Sequence, residues 1–193
     1  MKIAIFGGAF DPFHLGHQQV VDNLLLKKMV DEVWLVPVGR HAFAKRLSSN
    51  RHRLAMLQLG KEQLSWSRQK KVQIVDCELR QMKTNHTLST LRYFRKNFPN
   101  HQFIFLMGSD NVADFHRWHH YQELLKQFEV WVYPRQNFPF QPIYPQMTFL
   151  PQMPTINISA TLVRERRKKG LAIAALVGDK INQYISKHHL YAE

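Results

Sequence analysis

Short runs of β-favouring apolar residues alternate with helical patterns along this chain of 193 residues, and that alternation limits its fold more than any other feature. Residues 3–6, 33–37, 72–75, 103–107 and 130–133 read as strands. Between them, residues 13–26, 51–64, 86–98 and 121–127 carry apolar positions near the helical spacing, with Leu54, Leu57 and Leu64 on the second and a stop at Pro99 after the third. Strands separated by helices are joined by right-handed crossovers, which makes a mostly parallel sheet covered on both faces. Six of the nine prolines fall between Pro134 and Pro154. Proline supplies no ladder donor, so this stretch reads as an extended loop around one short strand at residues 147–150. Helical pattern resumes at residues 161–169 and 179–188. With no repeat, low-complexity tract or linker, the expectation is one α/β domain over residues 1–193, in which 155–193 form a C-terminal helical part.

Composition excludes several classes. Hydrophobic residues at 45% and aromatic residues at 12% argue against disorder. A single cysteine, Cys77, cannot build an internal disulfide framework and fits a reducing compartment. The apolar run after Met1-Lys2 is too short for a signal peptide, and no stretch approaches the roughly 18 apolar residues of a membrane span. The expected location is the cytoplasm, with no membrane partner. The 27 Lys and Arg residues against 14 Asp and Glu give a net charge of +13, which suits nucleic acid, an anionic surface or phosphorylated small molecules. Only the motifs can choose among these.

In doubly wound, Rossmann-like sheets the ligand sits outside the carboxyl ends of the strands, where the order reverses beside the first one. The loop there reads Gly7-Gly8-Ala9-Phe10-Asp11-Pro12-Phe13-His14-Leu15-Gly16-His17. Gly7 and Gly8 let the backbone approach a bulky ligand, and the free N–H groups of the following helix face an anion. The glycine spacing is not that of the dinucleotide fingerprint. His14 and His17, three apart at the helix start, share one face, from which imidazole N–H groups can donate to a phosphate without exchanging a proton. The same pair can equally be a turn cap, His14, and a surface residue, His17. A zinc site would need ligands that are not in place.

A second segment reads Ile158-Ser159-Ala160-Thr161-Leu162-Val163-Arg164. Ser159 or Thr161 can cap the helix that follows, leaving hydroxyls and backbone donors toward an anion, and Arg164, one turn in, can grip phosphate bidentately. Taken alone, the segment reads first as a capped surface helix with a solvated basic face, and only the first segment beside it turns the reading toward an anion site.

Together the two segments resemble the GGTFDPxHxGH and ISSTxxR signatures of the HxGH nucleotidyltransferase superfamily, in the same order. Over most of its length the chain is similar to one family within it, the nicotinate (nicotinamide) mononucleotide adenylyltransferases. Gly108-Ser109-Asp110-Asn111 followed by Phe115-His116-Arg117-Trp118 is similar to their G(A/S)DN...W block, residues 130–135 to the next strand, 86–91 to YTxxTL, and 176–191 to the closing LVPDxVxxYIxxxxLY. The resemblance implies transfer of AMP from ATP to nicotinate mononucleotide, or nicotinamide mononucleotide, with pyrophosphate released and Mg2+ carried on the triphosphate rather than on protein ligands. It implies catalytic roles for His14, His17, Lys45 and Arg164. It implies ATP contacts from Gly7, Gly8, Ala9, Phe10, Gly16, Gly108, Asp110, Ile158, Ser159 and Thr161. Acceptor contacts would come from Lys45, Thr87, Trp118 and Arg135, with Trp118 stacked on the pyridine ring or, as the plainer alternative, packed in the core.

Three places depart from the signatures. Ala9 stands for a threonine and Ala160 for a serine, so backbone N–H groups or neighbours must replace two hydroxyl contacts. The family's PPHK segment is Gly39-Arg40-His41-Ala42-Phe43-Ala44-Lys45 here, without its prolines, which leaves the register of Lys45 open. Rival readings are a superfamily member with a phosphopantetheine or cytidylyl-transfer acceptor and, from another class, a basic nucleic-acid-binding protein. No helix-turn-helix, zinc-finger or RNP signature supports the latter. Free nucleotides are the expected partners, and a homo-oligomer is left open. Residues 40–53, with Arg40, Lys45, Arg46, Arg51 and Arg53, carry +5 and residues 164–169 carry +4 of the net charge, so the excess reads as a funnel for polyanionic nucleotides.

Overall fold

The structure is a computed structural model that describes residues 1–39, 47–80, 86–138 and 144–192. Six strands, β1 (Lys2–Gly8), β2 (Glu32–Pro37), β3 (Val72–Ile74), β4 (Gln102–Gly108), β5 (Glu129–Tyr133) and β6 (Met147–Phe149), form one parallel sheet in the order β3-β2-β1-β4-β5-β6. The order reverses between β1 and β4, the switch point where such sheets open a crevice. In register, Ile5 of β1 lies beside Trp34 of β2 and Phe105 of β4, which brings Gly8 and Gly108 to the same rim.

Side chains alternate between the two faces of β1 and β4. Ala4, Phe6, Ile104 and Leu106 enter one core with α1 (Leu15–Leu26), α2 (Asn50–Glu62), α6 (Ala160–Lys168), α7 (Ala174–Val177) and α8 (Asp179–Lys187). Ile3, Ile5, Phe103 and Phe105 enter the other with α4 (Thr87–Asn97) and α5 (Tyr121–Gln127). Burial on both faces is why these strands appear in the sequence as continuous apolar runs.

The short helix α3 (Trp66–Gln69), α7 and two 3-10 turns, Ser109–Asn111 and Phe115–Arg117, were not expected, because a single turn leaves too few positions for a period to register. The packing of α2 corrects the sequence reading. Its buried face is Arg53, Met56, Leu57 and Gly60, while Leu54 is only half-buried and Leu64 lies past the helix end. Gly60 makes room for an aromatic ring, since a Cβ there would stand 2.3 Å from Cδ1 of Phe13. Among the described residues no helix is long and apolar enough to cross a membrane.

Candidate active site

Past Gly8 the chain leaves the sheet through Phe10, at φ 48°, and a cis Asp11–Pro12 peptide. His14, extended at φ −141°, caps α1. The cap is reciprocal: the His17 N–H donates to His14 Nδ1 at 3.3 Å and the His14 N–H donates to His17 Nδ1 at 3.2 Å. With both Nδ1 atoms engaged as acceptors, each neutral imidazole carries its proton on Nε2. The rings stack 3.7 Å apart between centroids, inclined by 20°, and both line the same cavity. Phe6, Phe10 and Phe13 pack around His17. Burial, reinforced by the charge of Arg135, lowers the pKa of His14 to about 3. Burial, then His14 and Arg135, also hold His17 well below its ordinary value. His14 is thus both a cap and a cavity-lining donor, and His17 is not a solvated surface residue.

Gly16, expected at the ATP site, is absent from the lining of the cavity that holds His14 and His17. A Cβ on it would stand 2.7 Å from Cγ2 of Ile156 and 3.0 Å from Nδ1 of His14, so glycine here admits the His14 ring.

The second segment meets the first across the crevice. Ser159 caps α6, its Oγ accepting the Leu162 N–H at 3.1 Å. Arg164 is held at both tips, Nη1 donating to the Asp11 carbonyl at 2.7 Å and Nη2 to Thr161 Oγ1 at 3.2 Å. Arg135 donates from Nη1 to the Ile158 carbonyl at 2.7 Å, and its Nε lies 3.6 Å from Asp110 Oδ2. The Ile158 side chain is buried and does not line the cavity that holds His14 and His17, and its carbonyl is what orients Arg135.

A cavity of about 490 Å³ is lined by His14, His17, Arg135, Ser159, Thr161 and Arg164, together with Phe10 and Gly108. A second, of about 510 Å³, is lined by Val36, Val38, Glu78, Thr87, Thr90 and Leu91. Both are also lined by Gly7, Gly8, Ala9, Phe105, Asp110, Asn111 and Trp118, so they are two lobes of one cleft over the ends of β1 and β4. Arg135, expected on the acceptor side, lies in the histidine lobe because Asp110 and the Ile158 carbonyl turn it there. Lys45 lies outside the described residues.

Four contributors escaped the sequence reading. Asp11 sits inside the first signature and is buried. Arg53, in the basic run, is also buried, and its guanidinium donates to the Ala9 carbonyl at 3.0 Å, the Val38 carbonyl at 2.9 Å and Asn50 Oδ1 at 2.7 Å. Its charge is therefore a brace under the loop and no part of a surface funnel. Its signal was available, since Met56 and Leu57 three and four residues on mark its side of the helix as the buried one. Glu78 and Thr90 form the floor of the second lobe, Thr90 Oγ1 donating to Glu78 Oε1 at 2.6 Å, and burial raises the Glu78 pKa. The Cys77 thiol is pushed up to about 11 by burial and by the Glu78 charge, which makes it a poor nucleophile.

The chain matches the cytidylyltransferase-like family model over residues 5–166. It is 33% identical over 198 residues to an Albidiferax ferrireducens protein named probable nicotinate-nucleotide adenylyltransferase, covering 98% of each chain. It is 29% identical over 192 residues to the nicotinate-nucleotide adenylyltransferase of Bacillus subtilis, again covering 98% of each. Its fold is similar to that of Plasmodium falciparum nicotinic acid mononucleotide adenylyltransferase complexed with NaAD, with a TM-score of 0.88 at 25% identity over 99% of this chain and 97% of that one.

Proposed function

The chain belongs to the cytidylyltransferase-like family and to the nicotinate-nucleotide adenylyltransferases, and from that membership we propose that it transfers AMP from ATP to nicotinate mononucleotide, releasing pyrophosphate. The observation that carries the mechanism is the placement of two neutral imidazoles and Arg164 in one lobe of a cleft whose two lobes share Trp118 as a lining residue.

The acceptor's phosphate oxygen is already ionised at neutral pH, so it needs no general base. It attacks the α-phosphorus of ATP, the bond from that phosphorus to the bridging oxygen breaks, and pyrophosphate leaves with the electron pair. What the protein supplies is alignment and charge stabilisation. The Nε2–H groups of His14 and His17 donate to the triphosphate, and these bonds strengthen as charge builds on it. Arg164 and Arg135 add positive charge beside them, while Ser159, Thr161 and the Gly8–Ala9 backbone hold oxygens. The face of Trp118 stacks on the pyridine ring, and Thr87, the first residue of α4, meets its carboxylate.

Among the described residues no group of three or more His, Cys, Asp or Glu is placed to hold a metal ion. Arg135 and Arg164 would hold the triphosphate, and a Mg2+ bound to its oxygens, with no protein ligand, would offset part of their charge. Lys45 joins the phosphate contacts on the resemblance alone.

Pyrophosphate release with ATP and, separately, nicotinate mononucleotide, nicotinamide mononucleotide or phosphopantetheine tests this. The expected result is the highest kcat/KM with nicotinate mononucleotide. Release with phosphopantetheine alone would move the chain to another acceptor, and no release with any acceptor would overturn the proposal.

A further inference from the structure

Asp11, only 2% exposed, ties three distant segments together. Its Oδ2 accepts the Ser48 N–H at 2.9 Å, its Oδ1 accepts the Tyr191 hydroxyl at 2.5 Å, and its carbonyl accepts Nη1 of Arg164 at 2.7 Å. Tyr191 follows Leu190, whose N–H closes the end of α8 on the Ile185 carbonyl at 3.0 Å. Resting on the reading of Arg164 given above, we propose that Asp11 is a positioning residue for adenylyl transfer and that Tyr191 acts through it, holding Arg164 where the triphosphate arrives.

A carboxylate withdrawn from water needs donors aimed at it, and Ser48 and Tyr191 are those donors. They pin the Asp11 residue inside the loop between Gly8 and His14. The carbonyl of that same residue fixes one tip of the Arg164 guanidinium, and Thr161 fixes the other. A long side chain held at both tips before binding loses less freedom when it grips its ligand. Burial, together with the Asp11 charge, raises the Tyr191 pKa, so its hydroxyl stays a donor over the working range. Removing that hydroxyl leaves Asp11 Oδ1 without its donor and loosens the carbonyl that steers Arg164.

A double-mutant cycle tests the link: steady-state kinetics with ATP and nicotinate mononucleotide for the parent, Tyr191→Phe, Arg164→Lys and the double variant, with thermal unfolding measured alongside. Tyr191→Phe is expected to lower kcat about tenfold at a temperature where it is folded, with the KM for nicotinate mononucleotide within about twofold. In the Arg164→Lys background the same change is expected to alter kcat by less than about twofold. Multiplying effects would overturn the proposal, and so would a Tyr191→Phe variant that unfolds earlier yet keeps the parent kcat. An Arg164→Lys variant with parent kcat would instead remove the role given to Arg164, and this inference with it. If Tyr191→Phe does not fold, Asp11→Asn takes its place in the cycle.

Discussion

The backbone N–H of His14 donates to Nδ1 of His17 at 3.2 Å while the N–H of His17 donates to Nδ1 of His14 at 3.3 Å, so each ring is locked by the other's backbone. An imidazolium has no acceptor, so protonating either ring breaks this pair.

A pH dependence of stability follows. Unfolded histidine protonates near pH 6.5, whereas folded His14 does so only at about 3. As the pH falls through that window the unfolded state binds the proton first, and stability drops by up to about 1.4 kcal/mol per pH unit for each such group. His17 acts in the same direction. Urea unfolding at about pH 7.5 and about pH 5 measures the loss. His14→Asn keeps a capping acceptor without a titrating ring and is expected to show a shallower slope. An unchanged slope would contradict the assignment.

Gly16→Ala places a methyl against Ile156 and the His14 ring, at 2.7 and 3.0 Å. We expect a loss of about 1–3 kcal/mol in thermal or urea unfolding, as for other overpacked sites, and a fall in kcat because His14 is displaced. Parent stability and parent kcat together would show that the ring has room to move.

Arg53 is 1% exposed and serves two loop carbonyls. Arg53→Met leaves the Ala9 and Val38 carbonyls without this donor, for an expected cost of about 2–4 kcal/mol in urea unfolding. A variant as stable as the parent would mean that water takes over both contacts.

Trp118 packs its ring near Phe105 and Phe115, 5.7 and 5.3 Å between centroids, and is only half-buried, with the cleft beside it. Trp118→Ala is expected to raise the KM for nicotinate mononucleotide about tenfold with the KM for ATP within about twofold, and Trp118→Phe to restore most of the loss. Equal effects on both substrates would point to a purely structural ring.

Periodicity and two short signatures carry most of this architecture. The run from Ile3 to Phe6, the glycines after it and the histidines beyond state a strand, a turn and a helix start within a few residues. Tyr121–Gln127 is read from sequence with the bounds that the structure gives. What local reading cannot supply is contact between distant segments. Ser48, Arg164 and Tyr191 converge on Asp11 only once α2, α6 and α8 have packed. Thr90 meets Glu78 only when α4 closes on the loop after β3. Arg135 is drawn to the histidine lobe by a carbonyl 23 residues away. A cap by His14 is among the sequence readings, but its reciprocity with His17 is not, because histidine is not among the residue types that usually cap helices.

The rate of dinucleotide formation from ATP and nicotinate mononucleotide, compared between the parent and His17→Ala, tests the central claim most directly. Loss of one preorganised donor is expected to lower kcat by about a hundredfold or more, about 2.7 kcal/mol of barrier, with the KM for nicotinate mononucleotide within about threefold. Turnover by His17→Ala within about threefold of the parent would contradict the account, because the barrier would then owe less than about 1 kcal/mol to the paired imidazoles.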